Sequence, residues 1–133
     1  MTIRGVTISN MDDRNVLAID LKHLLMVLGR KGSESIWRLK DVEVIGGSAD
    51  AMHDLSDRAE SVPGEALIKF ANGIAQVIDG EFAAHLSGSV QSWVRIRAVD
   101  STAFDITTTD MEMYREIRKQ FPDASELFNL EEQ

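Results

Sequence analysis

Residues 81–107 read EFAAHLSGSVQSWVRIRAVDSTAFDIT, and the periodicity of this stretch decides the fold class. Three alternating runs, Glu81–Leu86, Ser92–Val99 and Ala103–Thr107, are separated by the polar linkers SGSVQ and DST. Apolar/polar alternation interrupted by short turn-forming segments is the pattern of an antiparallel meander. One parity gathers Phe82, Ala84, Leu86, Val94, Ile96, Ala98, Phe104 and Ile106 on a core face, and the other leaves a polar outer face. With linkers at 87–91 and 100–102, the register sets Glu81 opposite Arg97, His85 opposite Trp93, Arg97 opposite Asp105 and Arg95 opposite Thr107.

Upstream of the meander the period is that of a helix. After Ser61–Val62–Pro63–Gly64, with Pro63 at an early helical position, Leu67, Phe70, Ala71, Ile74, Val77 and Ile78 form one stripe, which predicts a helix ended by Asp79–Gly80. Ser48 is placed as the N-cap of a preceding helix running to about Glu60, with Ala49, Met52, Leu55 and Ala59 as its apolar positions. Residues 36–45, IWRLKDVEVI, read as a strand closed by Gly46–Gly47, and their broken parity is explained by a bulge near Lys40–Asp41 or by an amphipathic edge. Before that, Leu17, Leu21, Leu24, Leu25 and Leu28 share a helix face. Asp12 and Asp13 suit the start of this helix, Gly29 suits a left-handed end, and 30–34 suits a turn. Residues 2–9 read as a short edge strand around Gly5. Downstream, Thr109–Asp110–Met111–Glu112 matches a capping box. Met111, Tyr114, Ile117, Arg118 and Phe121 follow at helical spacing, with Pro122 as the stop.

Strands in a run with helices grouped predict an α+β domain: an antiparallel sheet containing a C-terminal three-strand meander, with about four helices packed mainly on one face. At 133 residues, with no linker, repeat or low-complexity tract, one domain spanning 1–133 is expected. An acidic tail from about 123, holding Leu127, Phe128 and Leu130, is expected to fold back onto the domain or to dock on a partner.

Composition narrows the classes of function. The absence of cysteine excludes a disulfide framework, a thiol nucleophile and thiolate metal ligation, and it fits a reducing cytoplasm. No apolar run is long enough to span a membrane, and the N-terminus lacks the basic-then-apolar pattern of a signal peptide. A net charge of −8 argues against nucleic acid as partner, because phosphate binding is driven by Lys and Arg. The charge is uneven: residues 41–65 hold seven carboxylates against the single base Arg58, a local balance of −6. No phosphate-loop or nucleophile-elbow spacing is present, so neither a catalytic residue nor a cofactor is expected.

Two surfaces remain as candidates. On the outer sheet face, Glu81, Arg97 and Asp105 form a row beside Trp93, His85 and Arg95. Cross-strand charge pairs of this kind contribute only about 0.2–1 kcal/mol each. The functional reading is a small-molecule or anion site, or an enzyme without a recognisable motif, in which an arginine grips a carboxylate and an exposed Trp93 supplies an apolar plane, or else the self-complementary patch of a homodimer. On the helix from Ser48, Asp50, Asp54 and Asp57 fall on one face, continued by Glu60. A solvated acidic face accounts for them, and the functional reading is electrostatic docking of a basic protein partner; His53 lies close enough in sequence to join a metal set, but no second helix supplies matching ligands. In size and acidity the chain resembles many immunity- and antitoxin-type inhibitors, and equally many cytosolic proteins without an assigned role. That resemblance rests on no motif, carries no residue across, and implies a non-enzymatic interaction protein.

Overall fold

The alternating segment forms the centre of a seven-stranded antiparallel sheet. In this computed structural model, which describes residues 2–9 and 19–128, the elements are β1 (Arg4–Ile8), α1 (Leu21–Ser33), β2 (Ile36–Gly46), α2 (Ala49–Arg58), β3 (Ser61–Pro63), α3 (Gly64–Asn72), β4 (Ile74–His85), β5 (Ser92–Val99), β6 (Ala103–Thr108), α4 (Met111–Gln120) and β7 (Ser125–Glu126). The strands lie in the order β3-β2-β4-β5-β6-β1-β7. Glu81 faces Arg97, Arg97 faces Asp105 and Arg95 faces Thr107, as the parity argument requires. Phe82, Ala84, Val94, Ile96, Ala98, Phe104 and Ile106 are buried. Leu86 departs from the pattern: β4 ends at His85, so Leu86 opens the loop and is 43% exposed.

The largest difference lies between 73 and 80. The predicted helix stops at Asn72, Gly73 closes it through an N–H donated to the Phe70 carbonyl, and Ile74 already begins β4. Ile74, Val77 and Ile78 are β-branched, so they fit a strand as well as a helical stripe. The competing demand comes from β2, whose residues Val44, Ile45 and Gly46 pair with Val77, Gln76 and Ile74. As helix, 74–78 would leave those backbone groups without their ladder partners, which is costly for a half-buried strand. Gly80, read as a stop, lies inside β4. Ser61–Pro63 forms the edge strand β3, so Pro63, expected at an early helical position, instead ends a strand and stands at the N-cap of α3, where proline's missing N–H is tolerated.

β2 carries the expected bulge: its pairing with β4 breaks between Lys40 and Glu43, and Asp41 has φ 52°. Beyond β3, the open edge of β2 is covered by α2. The Val42 N–H donates to Ser56 Oγ at 3.0 Å and the Val44 N–H to His53 Nε2 at 3.2 Å. Ser48 occupies the N-cap position of α2 without a side-chain capping bond.

α1 begins at Leu21, and the stripe position Leu17 and the acidic start at Asp12–Asp13 lie outside the described residues. Gly29, at φ 58° and ψ −139°, breaks the helical path but does not end it, since another turn runs to Ser33. That turn abuts the start of α3 so closely that a Cβ on Gly64 would clash with the Gly32 carbonyl oxygen. α4 is capped by Asp110, not Thr109: the Asp110 carboxylate accepts the Met113 N–H at 3.1 Å. The tail folds back as far as Leu127, with Glu126 and Ser125 paired to β1 and the Leu127 N–H bonded to the Gly5 carbonyl, while Phe128 is exposed. Leu24 and Leu28 of α1, Met52 of α2, Leu67 of α3 and Ile117 of α4 join Trp37, Phe82 and Phe104 in one core cluster on one side of the sheet.

Candidate functional site

Because Trp37, Leu39, Phe82, Val94 and Ile96 point into the core, their neighbours along each strand point the other way. Two rows of the outer face follow from the register. One runs Arg38–Ala83–Arg95–Thr107–Gly5, and the other Lys40–Glu81–Arg97–Asp105–Thr7. Adjacent strands are about 4.8 Å apart, so the cations of β2 and β5 stand about 10 Å apart across β4.

Ion pairing on this face is diagonal. Arg95 Nη1 lies 2.8 Å from Glu81 Oε1, and Arg95 Nε donates to Ser92 Oγ at 2.9 Å. Asp105 instead accepts the Thr7 hydroxyl at 2.6 Å. Arg38, Lys40 and Arg97 are exposed, and among the described residues none has a carboxylate within ion-pair distance. His85 is half-buried at the end of the face, between Ile36 and Ser92.

Trp93 does not belong to the outer face. The register passes from Ala84–Val94 to His85–Ser92, making Trp93 the extra residue of a β-bulge. A bulge breaks strict alternation, so Trp93 and Val94 are buried together, Trp93 with 6% exposure. Its indole N–H donates to Ser35 Oγ at 2.8 Å, and Lys31 Nζ stands 4.4 Å from its ring centroid. Lys31 also reaches Asp110 Oδ2 at 2.6 Å. Burial opposes ionisation of Asp110, but the Lys31 ammonium and the backbone N–H groups of Met113 and Glu112 together hold its carboxyl below the usual aspartate value.

Asp50, Asp54, Asp57 and Glu60 are all exposed. Arg58 lies 3.7 Å from Asp54, one turn away. His53 turns toward β2, where it accepts the Val44 N–H. Among the described residues no three His, Asp or Glu side chains converge as a metal-binding group. No helix among them is long and apolar enough to cross a membrane.

Elsewhere, a groove of about 430 Å³ separates α1 from α4, lined mainly by Ile19, Met26, Val27 and Phe121 with His23 and Glu116 at its rim. Where β1 meets the edge strand β7, Arg4 pairs with Glu126 and stands over the ring of Tyr114, whose hydroxyl lies 3.3 Å from Glu126 Oε1. The Arg4 guanidinium holds the Glu126 carboxyl below its usual value.

Arg38 and Lys40 were missed as site residues by the sequence reading, although a signal exists. Trp37 and Leu39 alternate with Arg38 and Lys40 in strict parity up to the bulge, so the first half of β2 alone places both cations outward. No family model, no characterised protein and no solved structure matches the chain.

Proposed function

We propose that this protein is a non-catalytic binding module whose outer sheet face recognises a carboxylate-rich ligand. The observation that carries the reading is the set Arg38, Lys40 and Arg97, three exposed cations without carboxylate partners among the described residues, in a chain of net charge −8. Where acids outnumber bases overall, cations left unneutralised on one face are available to an external anion. Arg95, held by Glu81 and Ser92, adds a fixed guanidinium edge beside them. Fluorescence anisotropy with labelled polyglutamate tests the reading. Arg38→Gln/Lys40→Gln/Arg97→Gln is expected to weaken binding by about tenfold or more, and the wild-type affinity to fall with added salt. Equal binding by both proteins would sink the proposal.

A second reading is favoured by the acidic side of α2. Asp50, Asp54, Asp57 and Glu60 are exposed with Arg58 as the one base on that helix, which supports docking of a basic protein partner in the manner of an inhibitor. Salt-sensitive binding of polylysine that is lost in Asp50→Asn/Asp54→Asn/Asp57→Asn is its expected signature, and unchanged binding in that variant removes it.

A further inference from the structure

We infer that His53 is a pH-operated latch on the edge of β2: the neutral ring holds the Val44 N–H, and the protonated ring releases it and turns to the carboxylates of α2. This device is independent of what the outer face binds.

The latch follows from one hydrogen bond. The Val44 N–H donates to His53 Nε2 at 3.2 Å. A backbone N–H can only donate, so Nε2 is the bare nitrogen of a neutral ring and Nδ1 carries its proton. An imidazolium bears a proton on both nitrogens and would set one donor against another. Protonation of the ring therefore abolishes the bond. The Val42 N–H, held at 3.0 Å by Ser56 Oγ one turn further along α2, has no titrating partner. Met52, next to His53 in the chain and fully buried, keeps the helix seated on the core. The opening is thus confined to the His53 side chain and the Val44 amide, and it leaves that N–H free to pair with another chain.

The spacing of α2 gives the charged ring its destination. Asp50 lies three residues before His53 and Asp57 four after, so both are its neighbours on the helix surface. Both are exposed, and among the described residues neither has a base within ion-pair distance, whereas Asp54 has Arg58 at 3.7 Å. α2 packs against β2 and α3. From β2 come exposed Asp41 and Glu43, flanking Val42, with Arg38 and Lys40 on the half of the strand before the bulge. From α3 come Glu65 and Lys69, both exposed. The two positions of the ring answer to different partners: a backbone donor of β2 when neutral, carboxylates of its own helix when charged. The bond belongs to the deprotonated ring, so its contribution is present at neutral pH and is lost as pH falls. Charge pairs gained on α2 offset that loss, which makes amide protection a sharper readout than global stability.

The test is NMR of the whole chain between about pH 8 and about pH 5, the range over which imidazole side chains change charge. At the upper end the ring nitrogen shifts of His53 are expected to report the Nδ1–H tautomer. Protection of the Val44 amide, corrected for its intrinsic exchange rate, is expected to fall about fivefold or more on acidification, with that of Val42 unchanged. His53→Gln offers the same N–H an amide oxygen that does not titrate, and is expected to remove the pH dependence at Val44. His23 and His85 are present in both proteins, so a difference between them belongs to His53. Asp50→Asn/Asp57→Asn is expected to move the transition down by about half a pH unit. An Nε2–H tautomer at the upper pH, constant Val44 protection in the wild type, equal pH dependence in His53→Gln, or a transition unmoved by Asp50→Asn/Asp57→Asn would overturn the latch.

Discussion

Trp93 shows how much one inserted residue changes. As the extra residue of a bulge it leaves the polar face and joins α1, β2 and the start of α4, with its N–H on Ser35 and Lys31 above its ring. Its carbonyl accepts the Thr108 hydroxyl and the Thr109 N–H, so backbone and side chain anchor the same junction. Trp93→Ala is expected to cost about 3–5 kcal/mol in urea denaturation. Trp93→Phe, which keeps most of the ring but leaves Ser35 Oγ without its donor, is expected to cost about 1–2 kcal/mol. A loss below that of an ordinary surface substitution would show that the junction is not tightly packed. Asp110 gives the pH counterpart. Its folded carboxyl is held below the ordinary value of 3.8, so its ionised form contributes stability that is fully present above that pH and is lost as pH falls through the folded value. The stability difference between wild type and Asp110→Asn is therefore expected to be constant near neutrality and to shrink as pH drops below about 4. A difference that widens on acidification would contradict the sign.

At the scale of elements, α2 acts as the cover of an unpaired strand edge. Ser56 and His53, one turn apart on the helix, meet the N–H groups of Val42 and Val44, which β3 is too short to reach. Uncovered edges invite pairing with other chains. His53→Ala/Ser56→Ala is expected to cost about 1 kcal/mol per lost bond, to deprotect the Val42 and Val44 amides in hydrogen exchange, and to raise light scattering at high concentration. Amide protection equal to wild type would argue that water replaces both acceptors without loss. The boundary between α3 and β4 teaches a different lesson. Ile74, Val77 and Ile78 satisfy a helical stripe and a strand equally, and only the unpaired end of β2 breaks the tie. By contrast β5 and β6 were legible from their alternation, because no helical phase gathers Val94, Ile96 and Ala98 of β5, or Phe104 and Ile106 of β6, on one face.

Over the whole molecule the charge is sorted. The acids of residues 41–65 collect at α2 and the bulged end of β2, while four cations and two carboxylates share the central outer face. Because Arg38, Lys40 and Arg97 are exposed and make no ion pair with described residues, their joint replacement by Gln is expected to shift folding stability by less than about 0.5 kcal/mol, measured by urea denaturation. A large loss would mean that the face is needed for folding. Sequence alone determined the α+β class, the core parity of the meander and the pairing Glu81–Arg97–Asp105, because these follow from local period and linker length. Tertiary structure decided the rest: that Trp93 turns inward, that 74–80 is strand, and that Arg38 and Lys40 stand across β4 from Arg95 and Arg97. Each of those depends on a neighbour distant in the chain, through a bulge in one ladder or the backbone demand of another strand, and neither is written in the residues themselves.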